Sequence, residues 1–197
     1  MMSPLSWSRF LHCSETIAKK AASLRTFIHR IGIEARPGYI FPTSSFFRGE
    51  NLGISGNTNA ALEMAEGDFV VLADHDDRLT PNALFECAKK LNENRTCDVL
   101  YSDEDKLDMD GDELFDPHFK PDFNPDLLTS VNYICHLFVV KKELIDKVGG
   151  FRAEYDGAQD YDFIFRCTEN AEKICHIPKV LYHWRCHPFF TRLQKSE

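Results

Sequence analysis

The stretch Asp68-Phe-Val-Val-Leu-Ala-Asp-His-Asp-Asp77 sets an apolar run of strand length directly against four residues, three of them carboxylates. Phe69 to Ala73 reads as a fully buried strand: it is short, rich in β-branched residues and preceded by Gly67. Residues two apart in an extended chain point the same way. Asp74 and Asp76 are therefore expected to project together from the strand's carboxyl end, with His75 and Asp77 turned elsewhere. Open α/β sheets bind ligands at that end. Two convergent carboxylates there suit a hard divalent cation, Mg2+ or Mn2+, with phosphate oxygens completing its shell. The competing reading is a polar turn that caps the next helix.

The whole chain narrows the field. Its 197 residues suffice for one domain with a sizeable core. With 23 basic against 31 acidic residues the formal charge is −8, which argues against nucleic-acid binding. An anionic ligand would then need a metal or local basic groups to offset repulsion, and a cation at Asp74 and Asp76 would do that. Seven cysteines are scattered without Cys-x-x-Cys spacing, so neither a zinc site nor a disulfide framework is signalled. Most read as small core residues of a reducing cytoplasm. No signal peptide is evident, and no apolar run is long enough to span a bilayer.

Outward from the strand, strand and helix signals mostly alternate, which is the α/β pattern. Upstream, Asn51 to Gly56 reads as a loop and Asn57 to Ala65 as a short helix, with Gly67 at its C-cap. Downstream, Thr80-Pro81 predicts a helix start, and Leu84, Ala88 and Leu91 mark its buried stripe. Asp98 to Tyr101 predicts a second strand that ends in Ser102-Asp-Glu-Asp105, read as a solvated acidic turn or as part of an acceptor site. Asp108 to Asp112 invites a calcium-loop reading. With Gly111 at the sixth position, however, Lys106 and Pro117 fall on ligand positions, so a surface turn at Asp110-Gly111 fits better. Phe115 to Leu128, with three prolines, reads as an ordered loop around a site. A strand over Val131 to Val140 and helices over Lys142 to Val148 and Asp160 to Thr168 follow. Two strands, Ile174 to Ile177 and Val180 to Trp184, close the series.

Seven segments in order carry a resemblance. They are Asn51-Leu-Gly-Ile-Ser-Gly-Asn-Thr-Asn59, Gly67 to Asp77, Tyr101-Ser-Asp-Glu-Asp-Lys106, Phe115-Asp-Pro-His-Phe-Lys-Pro-Asp122, Gly149-Gly-Phe-Arg152, Gln159-Asp-Tyr-Asp162 and Leu181-Tyr-His-Trp-Arg185. Together they make residues 51 to 187 resemble the family 2 glycosyltransferases of GT-A fold, the bacterial surface-polysaccharide branch above all. The resemblance implies a mixed, mostly parallel sheet flanked by helices. It also implies transfer of a sugar from a nucleotide-diphosphate sugar to an acceptor hydroxyl, dependent on Mg2+ or Mn2+ and inverting. Asp74 and Asp76 would bind the metal and diphosphate, with His183 as a further metal ligand. Arg185 would pair with phosphate, Asn59 would line the donor side, and Asp160 would be the catalytic base. His183 and Arg185 read equally well as outward residues of an edge strand, Asp160 as a helix N-cap, and Trp184 as core or as a sugar-stacking platform. Thr58 stands where relatives often carry Arg.

The front of the chain departs from the pattern. Residues 1 to 50 show no long apolar strand, and Ser14 to Ile31 has helical spacing through Ile17, Ala21, Leu24, Phe27, Ile28 and Ile31. The expectation is an N-terminus lacking much of the nucleotide-binding half, with the Phe69–Ala73 strand left as an exposed edge able to self-associate. A shortened chain of that kind could equally be a non-catalytic remnant or a partner-dependent subunit. Residues 188 to 197 form a tail. The acceptor would be a glycan or a lipid-linked glycan, and the latter would bring the protein to the inner face of the membrane as a peripheral visitor.

Overall fold

The computed structural model describes residues 10–14, 25–31, 43–47, 51–74 and 76–186. The elements are β1 (Phe10–Ser14), β2 (Arg25–Ile31), β3 (Thr43–Phe47), α1 (Gly53–Glu63), β4 (Phe69–Ala73), β5 (Arg78–Leu79), α2 (Ala83–Glu93) and β6 (Val99–Leu107). After these come β7 (Leu114–His118), α3 (Pro125–Ser130), β8 (Phe138–Lys141), α4 (Lys142–Val148), α5 (Gln159–Asn170) and β9 (Ile174–Arg185). One sheet runs in the order β3-β2-β1-β4-β8-β6-β9-β5, with β7 paired to β6. It is mixed but mostly antiparallel, where a mostly parallel sheet was expected: β1 and β4 are parallel, as are β6 and β9, and the remaining pairs are antiparallel.

All five residues of β4 are buried, and alternation sends them to two cores. Val70 and Leu72 pack with α1, α4 and α5 through Leu62, Ile145 and Phe163. Phe69, Val71 and Ala73 pack with α2 through Cys87, Ala88 and Leu91. A strand buried on both faces reads as a continuous apolar run, which is why its position is legible.

The first 50 residues overturn an expectation. Arg25–Ile31, the end of the anticipated helix, is a strand paired to β1 on one side and β3 on the other. Thr26, Phe27, Ile28 and Ile31 are β-branched or aromatic and favour a pleated surface, so pairing on both sides overrode the helical spacing. Residues 15–24 of that expectation and the tail from 188 lie outside the described residues. Nor is β4 an edge, because β1 runs parallel beside it, Phe10 opposite Phe69 and Ser14 opposite Ala73.

Smaller differences have local causes. Helix α1 begins at Gly53 and is capped at Met64, so Gly67 does not cap it. Thr80-Pro81 lies in the turn before α2, whose N-cap is Asn82. Strand β6 continues through the acids, which are paired with β7 and β9 rather than solvated. Of Val131 to Val140 only the end is strand. The two closing strands are one, with register shifts against β6 between Ser102 and Glu104. The turn at Asp110-Gly111 stands as expected: the Asp108 carboxylate accepts from the N–H groups of Gly111, Asp112 and Glu113, and Gly111 has φ of 84°.

Candidate active site

After Ala73 the chain stops being extended. The Asp77 N–H donates to the Asp74 carbonyl at 3.4 Å, closing a four-residue turn. Such a turn brings its first and fourth residues together, so Asp74 is grouped with Asp77 instead of Asp76. The third member comes from far along the chain. Asp74, Asp77 and His136 can each place a ligand atom within 4.8 Å of the others, and His136 Nε2 lies 3.8 Å from Asp74 Oδ2. The anticipated trio of Asp74, Asp76 and His183 is not assembled among the described residues. His183 lies on β9 with Nδ1 against the Asp105 carboxylate.

The surroundings of the trio are tightly paired. Tyr182, fully buried, stacks on the His136 ring with centroids 4.6 Å apart. Its hydroxyl accepts from the Asp74 N–H at 3.0 Å and donates to Asp77 Oδ2. The Arg185 N–H donates to Asp77 Oδ1 at 2.7 Å. The Arg185 guanidinium reaches the carbonyls of Asp76 at 2.7 Å, Met109 at 2.8 Å and Asp108 at 3.1 Å. Arg185 thus pins the acidic turn to the turn between β6 and β7.

His136 is held equally firmly through its main chain. Its N–H donates to Glu104 Oε2 at 3.2 Å, and its carbonyl accepts from Lys120 Nζ. Lys120, whose side chain is 0% exposed, also bonds Glu104 Oε2 at 3.1 Å and the Ile134 carbonyl at 2.7 Å. Burial pulls the Lys120 ammonium below its usual range, opposed by the Glu104 charge. A buried ion pair survives desolvation only when its remaining donors and acceptors are satisfied, and the two carbonyls meet that need.

Against this background two atoms stand out. Asp74 Oδ1 and His136 Nδ1, like Thr80 Oγ1 in the following turn, are buried with no hydrogen-bond partner among the described residues. Buried polar atoms are nearly always paired, so these mark a site that expects a ligand. Burial pushes the Asp77 carboxyl up to about 6, with the Tyr182 hydroxyl and the Arg185 N–H pulling the other way and Asp74 adding to the rise. Two carboxylates and an imidazole form a donor set that fits a small divalent cation.

The other expected residues fall into distinct places. Asp160 is the second residue of α5, whose N-cap is Ala158, so it does not itself cap the helix. The Asn132 amide donates to Asp160 Oδ2 at 3.2 Å, while Asn132 Oδ1 accepts from the Cys135 N–H at 3.2 Å. The five residues Asn132 to His136 therefore run from Asp160 to Asp74. Asn59 serves the scaffold, since its amide donates to the Phe151 carbonyl at 2.8 Å and accepts from the Phe151 N–H at 2.7 Å. Trp184 is 42% exposed, hence not core, and meets His136 edge-on with centroids 6.3 Å apart. Sequence reading passes over His136, Asp77 and Tyr182. The repeated carboxylate of Asp76-Asp77 is the one local hint, and nothing near His136 in the chain points to Asp74.

A mixed sheet with an acidic turn at the carboxyl end of a central strand, here β4, parallel to β1 and antiparallel to β8, is a GT-A-like architecture. It is shared with the solved structure of S. aureus TarS residues 1-349, at a TM-score of 0.52 and 26% identity over 66% of this chain and 40% of that one. The chain belongs to the glycosyl transferase family 2, whose model matches residues 39–149, more than half of its length. It is 44% identical over 144 residues, 72% of its own length, to the uncharacterized protein y4gI of Sinorhizobium fredii. It is 43% identical over 128 residues, 65% of its length, to the O-antigen biosynthesis protein RfbC of Myxococcus xanthus. It spans only 16% and 10% of those two relatives.

Proposed function

We propose that this chain transfers a sugar from a nucleotide-diphosphate sugar to a hydroxyl of a glycan or lipid-linked glycan in polysaccharide biosynthesis, with a divalent cation at Asp74, Asp77 and His136. The observation that carries the reading is the convergence of Asp74, Asp77 and His136, ligand atoms within 4.8 Å of one another, with Asp74 Oδ1 buried and unpartnered among the described residues. Family membership and the likeness to an O-antigen biosynthesis protein support the reaction class and its setting. Among the described residues no helix is long and apolar enough to cross a membrane.

In this reading Asp74, Asp77 and His136 hold the ion, and Arg185 and Tyr182 hold the turn that carries the two carboxylates. A bound Mg2+ or Mn2+ would neutralise charge developing on the departing diphosphate. Asp160, oriented by Asn132, takes the proton from the acceptor hydroxyl as that oxygen bonds to the anomeric carbon. The bond from that carbon to the diphosphate oxygen breaks, and its electron pair leaves with the nucleoside diphosphate. One displacement of this kind inverts the anomeric configuration.

Thermal unfolding with UDP, GDP, ADP, CDP and TDP, with and without Mn2+, tests the reading, because a ligand stabilises the fold it binds. Mn2+-dependent stabilisation by one nucleotide is expected in the wild type and in Asp160→Asn. The latter should lose transfer by about 100- to 10,000-fold, the scale of general-base catalysis. A wild-type protein that no nucleotide diphosphate stabilises, with Mn2+ or Mg2+, would overturn it.

A further inference from the structure

We infer that Tyr182 is the positioning residue that assembles Asp74, Asp77 and His136 into one cation site, an inference that rests on the metal reading above. Its side chain is in contact with all three. The hydroxyl has one proton, and Asp77 Oδ2 receives it. A lone pair on the same oxygen is then left for the Asp74 N–H, 3.0 Å away. One atom thus sets both ends of the acidic turn. The ring does the third job, lying within 16° of parallel to the His136 imidazole.

A tyrosine buried in a core needs only one hydrogen-bond partner for its hydroxyl. Tyr182 has two, and both belong to the same turn. Two of the three buried side-chain polar atoms without a partner among the described residues, Asp74 Oδ1 and His136 Nδ1, sit on groups it fixes; the third is Thr80 Oγ1. Its own setting is rigid. Tyr182 is 0% exposed and packs in the core on the α2 face, and β9 pairs with β6 on one side and β5 on the other. Groups that orient metal ligands in this manner typically change cation affinity by about 10- to 100-fold when removed.

Tyr182→Phe tests the assignment, because it keeps the ring and deletes only the hydroxyl. Mn2+ affinity is read directly from the free-ion EPR signal, without nucleotide or turnover. The expected result is an affinity weakened about 10- to 100-fold, with circular dichroism matching wild type. Tyr182→Leu, which also removes the stacked ring, should weaken it further. An unchanged affinity in a folded Tyr182→Phe protein, with wild type binding Mn2+, would overturn this inference and leave the metal reading standing. A wild type that binds no Mn2+ would overturn both. If the variants fail to fold, wild-type protein carrying 3-fluorotyrosine supplies the test. One 19F resonance should shift with Mg2+ and broaden away with Mn2+, and a spectrum indifferent to both ions rules the role out.

Discussion

Asp74-His-Asp-Asp77 after β4 and Ser102-Asp-Glu-Asp105 within β6 look alike as letters, yet the fold uses them in opposite ways. On β6 every acid has met a base. Asp103 accepts from the Lys120 N–H at 2.9 Å and lies 2.8 Å from His176 Nε2. Glu104 is paired with Lys120, and Asp105 with His183. After β4, Asp74 keeps a buried oxygen without a partner among the described residues, and the nearest base, His136, has an idle nitrogen of its own. The first set is closed on itself and serves to fix the scaffold. The second is held in place from behind, with a carboxylate oxygen and a ring nitrogen unengaged among the described residues. Pairing therefore separates a structural acid from a ligand acid better than acidity or burial does.

Exchanging the two kinds of acid breaks the comparison most directly. Asp74→Asn should abolish Mn2+ binding and lower transfer by at least about 100-fold, since it removes a ligand to the charge-neutralising ion. The metal-free protein should melt close to wild type. Asp103→Asn should do the reverse, keeping Mn2+ affinity and losing about 2 kcal/mol of stability, the scale of a hydrogen bond to a charged group. The same outcome for both variants would erase the distinction between the two sets.

Lys120→Met probes the closed set alone. It leaves Glu104 buried beside the His136 N–H without its counter-charge, and losing one partner of a buried pair costs about 3–5 kcal/mol. Urea denaturation should show that loss, and the double variant with Glu104→Gln should recover part of it. A single variant as stable as wild type would mean that the pair does not hold the His136 segment.

The smallest effect concerns pH. Burial raises the Asp77 carboxyl to about 6 in the folded protein, above the unfolded value of about 4. The folded state binds this proton more tightly, so Asp77 destabilises the metal-free protein progressively as pH rises from about 4 to about 6, with no further change above that. The difference in melting temperature between wild type and Asp77→Asn, measured in EDTA, isolates this contribution. A cation must displace the proton, so Mn2+ affinity should fall by about tenfold per pH unit below about 6. Affinity that does not vary with pH across that window would place Asp77 outside the ligand set.

Much of the fold is legible in the letters. The run Phe69 to Ala73 reads only as a buried strand, and α4 spans Lys142 to Val148 as expected, ending at Gly149 with φ of 84°. Ordered motifs identify the family. What misleads is the extension of local rules past their range. Period-two alternation pairs Asp74 with Asp76 because it assumes that the strand continues. Helical spacing in Ser14 to Ile31 hides a strand because its partners, β1 and β3, are not adjacent in the helical register. The Asn132 to His136 segment reads as strand, although its path through the site depends on Lys120 and Glu104.

The sequence by itself determined the elements whose signals are local: the strand before the acids, the turn at Gly111, helices α4 and α5, and the family. Tertiary structure alone decided which acids stand together with His136 and which are paired off with bases. That choice turns on the Asp74–Asp77 turn and on partners distant in the chain, His136, Tyr182 and Arg185, whose placement follows from sheet order. A carboxylate's role depends on which donors face it in three dimensions, and neighbouring residues in the chain do not specify that.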